Sequence, residues 1–441
     1  MHTSMLAPRR AAHRVVIAGG GAGGLELAAR LGRLHGPEAV TLVDARPFHV
    51  WKPSLHEAAA GTLDIHQEGL SYLMLAHLNR FSFVLGEVQA VDRERAVLKV
   101  GPVAGPDARI LIEPRELAYD TLVLAIGSAA NFFGTPGAER HAVTLETPEN
   151  AEQFRLGILE ALLRLDQAKA RDPQARLNLV IVGGGATGVE LAAELREAGR
   201  VVRAYGLPGF DPERDLAITL IEGAPRILAA LPERLSRAAT ARLEEIGVRV
   251  ETGRRVTEVA ERSVSTDDGR RFDADICLWA AGIRGPQLLE TLGLPLNRIG
   301  QLQVDERLRT SDPRILALGD CTAAPWTLGR TVPARAQAAH QQAAYLADAI
   351  DARLRGRPEP SAPYVYRDHG SLVSLGQGAG VGSLMGKLAG RGLFVSGALA
   401  RLMYMSLHLM HYRAVLGTGR TLSLALARLL MRRTRPRVKL H

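Results

Sequence analysis

Cysteine is nearly absent: the chain holds two, Cys277 and Cys321, among 441 residues. They stand forty-four positions apart and form no CxxC or metal-binding pattern. That excludes a disulfide scaffold and predicts a reduced, intracellular setting. Long apolar runs are missing too. No stretch of about 18 uninterrupted apolar residues occurs, so no transmembrane helix is expected. The apolar stretch Val15–Ala18, behind a short basic lead, is too short for a signal peptide. Acidic residues are missing from one region only. From His369 to His441 there are eleven Lys and Arg and no Asp or Glu, which leaves the preceding 368 residues at −2 of the total +9. A nearly neutral body therefore carries a strongly basic tail, a composition suited to anionic lipid, to nucleic acid or to plain solvation.

What is present is one pattern used twice. RVVIAGGGAGGLELAARL spans Arg14 to Leu31, and LNLVIVGGGATGVELAAEL spans Leu177 to Leu195. Each reads as a β-branched apolar strand, a glycine cluster and a helix with apolar spacing. Each is followed by a second strand ending in an acid, AVTLVDA at Asp44 and AITLIEG at Glu222. A lone GxGxxG is a weak signal; two copies between strand and helix, each with a following acid, are a strong one. Residues 199–215 lengthen the second unit and read as a polar surface insertion. Two further strands end in small residues, YDTLVLAIGS with Gly127 and ICLWAAG with Gly282, which leave room for a cofactor. Late in the chain, RILALGDC puts Asp320 after an apolar strand.

These residue types suit dinucleotides. Gly19, Gly21 and Gly24, and likewise Gly183, Gly185 and Gly188, give the tight turn, the close backbone approach and the helix–strand packing that a pyrophosphate at a helix N-terminus requires. Asp44 and Glu222 are expected to accept hydrogen bonds from ribose hydroxyls. Glu222 would repel a 2′-phosphate and so favours NADH, with Arg226 as a counter-signal. Asp320 suits a ribityl hydroxyl. If it returns to the first domain, the second is inserted within the first, and the first holds FAD. Glu190, expected near the nicotinamide, suits carboxamide orientation or proton handling, or is a helix N-terminal charge favoured by the dipole. Gln337 and Gln341, four apart on one helix face, could hydrogen-bond a quinone carbonyl or serve packing.

GGGAGGLELA, HVWKPSLHEAA, GGGATGVELAAEL, WAAGI, GDC and PARAQAAHQQ together resemble the type II, single-subunit NADH:quinone oxidoreductases over essentially the whole chain, most of all the bacterial respiratory members. The resemblance implies an α/β fold of two Rossmann-like domains of glutathione-reductase type with a C-terminal amphipathic helical membrane-binding domain, commonly dimeric. The expected division is 1–150 and 293–365 for FAD, 151–292 for NADH and 366–441 for membrane anchoring and dimerisation. It implies non-covalent FAD on Gly19, Gly21, Gly24, Asp44, Lys52 and Asp320. It implies NADH on Gly183, Gly185, Gly188, Glu190 and Glu222, with Ala281 and Gly282 near the nicotinamide. The AQxAxQQ motif, Ala336 to Gln342 with His340 inside it, is expected on the quinone side of the flavin.

The acceptor is chosen by elimination and by the tail. Disulfide reductases and sulfide:quinone oxidoreductases need redox cysteines, and neither cysteine here is paired. Leu393–Leu416 and Thr421–His441 read as apolar faces with cationic flanks, suited to a helix lying in the bilayer surface or to packing on the body. No nucleic-acid module is recognisable. The expected reaction is hydride from NADH to FAD, then two electrons to ubiquinone or menaquinone without proton pumping, at the cytoplasmic face of the bacterial inner membrane. Tyr404 is a candidate for the quinone tunnel, and His408 and His411 for proton delivery. Rival readings are a soluble NADH-dependent flavin reductase with a protein or small-molecule acceptor, and a redox-sensing flavoprotein.

Overall fold

The computed structural model describes residues 13–204, 209–376, 380–384, 393–395, 398–431 and 438. Its frame is two five-stranded, all-parallel sheets. The first runs in the order Ile315–Ala317, Thr121–Leu124, Val15–Ala18, Val40–Asp44, Ser82–Leu85. The second runs Ala142–Thr144, Ile276–Trp279, Leu177–Val182, Leu216–Glu222, Val248–Thr252. In both, the first strand of the glycine unit is central and the strand order reverses beside it. Such a reversal opens a crevice at the carboxyl ends of the strands.

The strands form because their residues are β-branched and apolar on both faces, as a sheet covered on both sides demands. All four residues of Val15–Ala18 are buried, as are all four of Thr121–Leu124. Ile315–Ala317 pairs with Leu122–Leu124, so the chain returns to the first sheet after completing the second. Strand Ala142–Thr144 hydrogen-bonds into the second sheet, so the crossing between sheets falls ahead of residue 150.

Three arrangements position the site. The helix Ala336–Leu354 packs on the first nucleotide helix, Ala22–His35, sharing a core with Leu25, Leu346 and Ile350. The short helix Leu55–Ala59 leaves the first unit and buries Leu55, Ala58 and Ala59 in the second unit's core, beside Val189 and Val373. The tail begins with a three-stranded antiparallel sheet, Gly370–Ser374, Gly380–Leu384 and Leu393–Val395, where only helices were expected. Helices Ala398–Leu416 and Thr418–Met431 follow.

The tail helices behave differently from each other. Ala398–Leu416 is docked on the body: Tyr412, Val415 and Leu416 join the core of the first unit. Asn79 Nδ2 donates to the Val415 carbonyl at 2.9 Å and Arg33 to that of Ala414 at 3.2 Å. Thr418–Met431 turns Leu422, Leu426 and Leu430 outward at 65%, 58% and 65% exposure, one stripe at fourfold spacing. The polar insertion is also less superficial than its composition suggests. Residues 199–204 continue the helix Ala186–Ala204, Phe210 is buried in the core, and buried Arg196 reaches the Pro212 carbonyl.

Candidate active site

The two glycine turns are near-copies. Gly19 takes φ +103°, and a Cβ there would stand 2.4 Å from the Ala125 carbonyl oxygen. Gly183 takes φ +113°, with the Ala280 backbone 2.7 Å from its Cβ. Each strand tip presses on the next strand across the reversal, and only glycine fits. A Cβ at Gly24 would lie 2.0 Å from Gly19 O, and one at Gly188 2.0 Å from Gly183 O. By contrast, a Cβ at Gly21 or Gly185 would meet nothing within 4 Å. That is the open face of each turn. The first nucleotide helix starts with no side-chain cap, and neither helix has an acid in its first turn. Bare N–H groups at a helix start are what a pyrophosphate needs, so both cradles fit a dinucleotide.

The two expected acids close the turns in the same way. Asp44 Oδ2 accepts from Gly20 N at 2.7 Å and Oδ1 from Arg46 N at 2.9 Å. Glu222 accepts from Gly184 N at 2.6 Å and Ala224 N at 2.7 Å. Each oxygen keeps a lone pair for a ribose hydroxyl. Arg226, the counter-signal for a 2′-phosphate, is committed elsewhere: it donates to the carbonyls of Leu231 at 2.9 Å and Ala229 at 2.8 Å.

Asp320 sits in a single turn after the returning strand, beside the tip that carries Gly127 and Ser128. Ser128 Oγ donates to its carboxylate at 3.4 Å. Burial pushes the Asp320 carboxyl up, and the nearby Lys52 charge offsets part of that push. Lys52 itself pairs with Glu146 at 2.7 Å. Gly127 has open space around it. Lys52, Gly127 and Asp320 therefore converge at the first crevice. Ala281 and Gly282 follow the second crevice's strand, and Gly282 lies against the Phe133 ring.

Glu190 is not a helix-start charge. It lies beyond the first turn, 6% exposed, between the second unit, the tail and the helix Leu55–Ala59. Ser374 N donates to its Oε1 at 3.0 Å, and His56 Nδ1 lies 3.5 Å from Oε2. Burial pushes the Glu190 carboxyl up to about 8 and the His56 ring down to about 4. At neutral pH the pair is uncharged, with the proton on Glu190. Among the described residues, buried His56 Nε2 has no hydrogen-bond partner. Sequence reasoning assigned no role to His56 or Ser374, which lie far from Glu190 along the chain.

The glutamines are anchored. Gln337 donates to the Gly370 carbonyl at 2.9 Å and accepts from His369 N at 3.2 Å. Gln341 donates to the Arg367 carbonyl at 2.8 Å and accepts from Arg367 N at 3.0 Å. Gln342 accepts from Gly319 N at 2.7 Å, holding the turn that carries Asp320. The first two amides staple the segment that leads into the tail sheet, so packing describes them better than an open quinone contact. His340 Nδ1 is 2.5 Å from buried Glu26, a residue no sequence pattern singled out. Tyr404 lies on the helix Ala398–Leu416, but its side chain is outside the described residues. Burial pushes both thiols up to about 12, and Cys277 and Cys321 belong to different cores. No redox pair can form between them.

Residues 13–343 match the family described as pyridine nucleotide-disulphide oxidoreductase. The chain is 39% identical to the type II NADH:quinone oxidoreductase of Haemophilus influenzae, over 97% of this chain and 99% of that protein. It is 30% identical to the type II NADH:quinone oxidoreductase of Staphylococcus aureus, over 86% and 91% of the two. Its fold is similar to that of NDH2 from Plasmodium falciparum in complex with NADH, with a TM-score of 0.76 at 18% identity over 92% and 97% of the two chains. The duplicated cradle and the missing redox cysteines agree with that placement. The chain belongs to the pyridine nucleotide-disulphide oxidoreductase family and, within it, to the type II NADH:quinone oxidoreductases.

Proposed function

We propose that the chain oxidises NADH with a membrane quinone through FAD, with FAD on the first glycine turn and NADH on the second. The observation that carries this reading is the duplicated cradle: two open turns, each closed by its own acid, beside a carboxylate returned to the first crevice. Bound FAD supplies the chemistry, accepting two electrons from the nicotinamide and passing them to the quinone. The protein supplies position and protons. Asp44 and Glu222 orient the riboses, and Asp320 holds a ribityl hydroxyl. Engagement of Arg226 with backbone carbonyls leaves Glu222 to select NADH. Glu190 holds a proton near neutral pH in a buried position, suited to donation toward the reacting groups.

The leucine edge of Thr418–Met431 supports seating on a membrane, with the basic tail drawn to anionic lipid at the cytoplasmic face. Among the described residues no helix is long and apolar enough to cross a membrane. The homodimer, and turnover without proton transport, are part of the same reading and rest on the family placement. Purified protein should show flavin absorbance, lose it on NADH addition and regain it with a short-chain quinone. Flavin that NADH reduces but quinone never reoxidises would refute the acceptor.

A further inference from the structure

Behind the first turn lies a buried polar chain. His340 and His411 both contact Glu26, at 2.5 Å and 2.8 Å. His411 Nε2 is 2.9 Å from His49 Nε2, and His49 Nδ1 is 3.0 Å from the Gly20 carbonyl oxygen. Tyr72 donates to that same oxygen at 2.6 Å. Glu26, His49, Tyr72 and His411 are each 3% exposed or less.

Donor and acceptor roles assign the protons. A carbonyl oxygen only accepts, so His49 Nδ1 carries a hydrogen. Burial and the neighbouring His411 push the His49 ring down to about 3, so it is neutral and its Nε2 accepts. His411 Nε2 therefore donates. Burial would raise Glu26, but the two histidine hydrogen bonds hold it down at about 2, so it is a carboxylate and accepts. The chain ends on a carbonyl that cannot take a proton onward, so it is a clamp and not a proton path.

The clamp acts on one peptide. With Gly20 O held inward by His49 and Tyr72, the trans peptide turns Gly21 N–H the opposite way. Gly21 is exposed, at the open face of the turn. We propose that His411, on the tail helix, is a positioning residue for the pyrophosphate turn: it locks His49 in the tautomer that holds Gly20 O and so presents Gly21 N–H to the FAD pyrophosphate. FAD retention is thereby tied to docking of the tail helix on the body. This rests on the reading that the first turn holds FAD.

The test is FAD release from the holoenzyme, followed by recovery of free flavin fluorescence on dilution, with NADH affinity measured alongside. His411→Leu should release FAD about tenfold faster, equivalent to about 1.4 kcal/mol, with NADH affinity within twofold. His411→Gln, whose amide nitrogen replaces Nε2, should restore most of the retention. In a His49→Asn background, where an amide donates to Gly20 O unaided, His411→Leu should have little further effect. Wild-type release from His411→Leu would overturn the proposal. So would equal losses in the Leu and Gln variants with NADH affinity falling in step. Wild-type protein that binds NADH but never retains FAD would instead overturn the assignment of the first turn.

Discussion

Glu190 and His56 make opposite demands on stability, and pH separates them. A carboxyl raised from 4.5 to about 8 in the fold holds its proton where the unfolded chain has lost it. The folded state binds more protons between those values, so this group's contribution falls as pH rises through that window. A histidine lowered from 6.5 to about 4 does the reverse: its contribution rises between about 4 and 6.5 and is then constant. The two nearly cancel below pH 6.5. From 6.5 to 8 Glu190 acts alone, and one and a half pH units at about 1.4 kcal/mol per unit give about 2 kcal/mol. Glu190→Gln removes that dependence while keeping an acceptor for Ser374 N. Thermal melts of the holoenzyme and of this variant, taken every half unit from pH 5 to 9, should diverge from the start, because the variant keeps the His56 rise that Glu190 cancels in the wild type. The variant should gain by several degrees between pH 6.5 and 8 alone, and the curves should run parallel above about 8. If its proton is also used in turnover, the wild-type rate should fall through about pH 8 and the variant should lack that limb. Curves that stay parallel to pH 9 would refute the protonated, desolvated Glu190.

Three further outcomes follow from the geometry. Gly188→Ala forces a Cβ against Gly183 O, 2.0 Å away between two rigid backbones, so NADH affinity should fall about 100-fold or more while the flavin spectrum is unchanged; titration of flavin reduction by NADH reads it. Glu222→Gln should narrow the NADH over NADPH preference in kcat/KM by about tenfold, and an unchanged ratio would remove its selecting role. Replacing Leu422, Leu426 and Leu430 together with Gln should barely alter folding, since all three are exposed. It should release the protein from anionic vesicles in a flotation assay and spare reduction of ferricyanide. A lipid-buried leucine contributes about 1.5–3 kcal/mol, so partitioning should drop at least 100-fold.

Parts whose physics is local could be read from the residues alone. A strand, three glycines and a helix need no distant partner to be recognised, because the tight turn and the bare helix start are set within a dozen residues. Asp44 and Glu222 were legible for the same reason, standing at the end of the next strand in both units. The missing cysteine pair was legible as plain composition. Tertiary structure decided whatever depends on residues far apart in the chain. Glu26 looks like a charge on an ordinary helix until His340 and His411, 314 and 385 positions later, close on it. Gln337 and Gln341 look free until the segment 367–370 folds back to occupy their amides. Arg226 looks like a phosphate ligand until its own loop turns carbonyls toward it. The tail's two helices have similar compositions, yet one seats Tyr412, Val415 and Leu416 in the core while the other turns a leucine edge outward. That difference depends on which face meets the body, and long-range packing alone sets it.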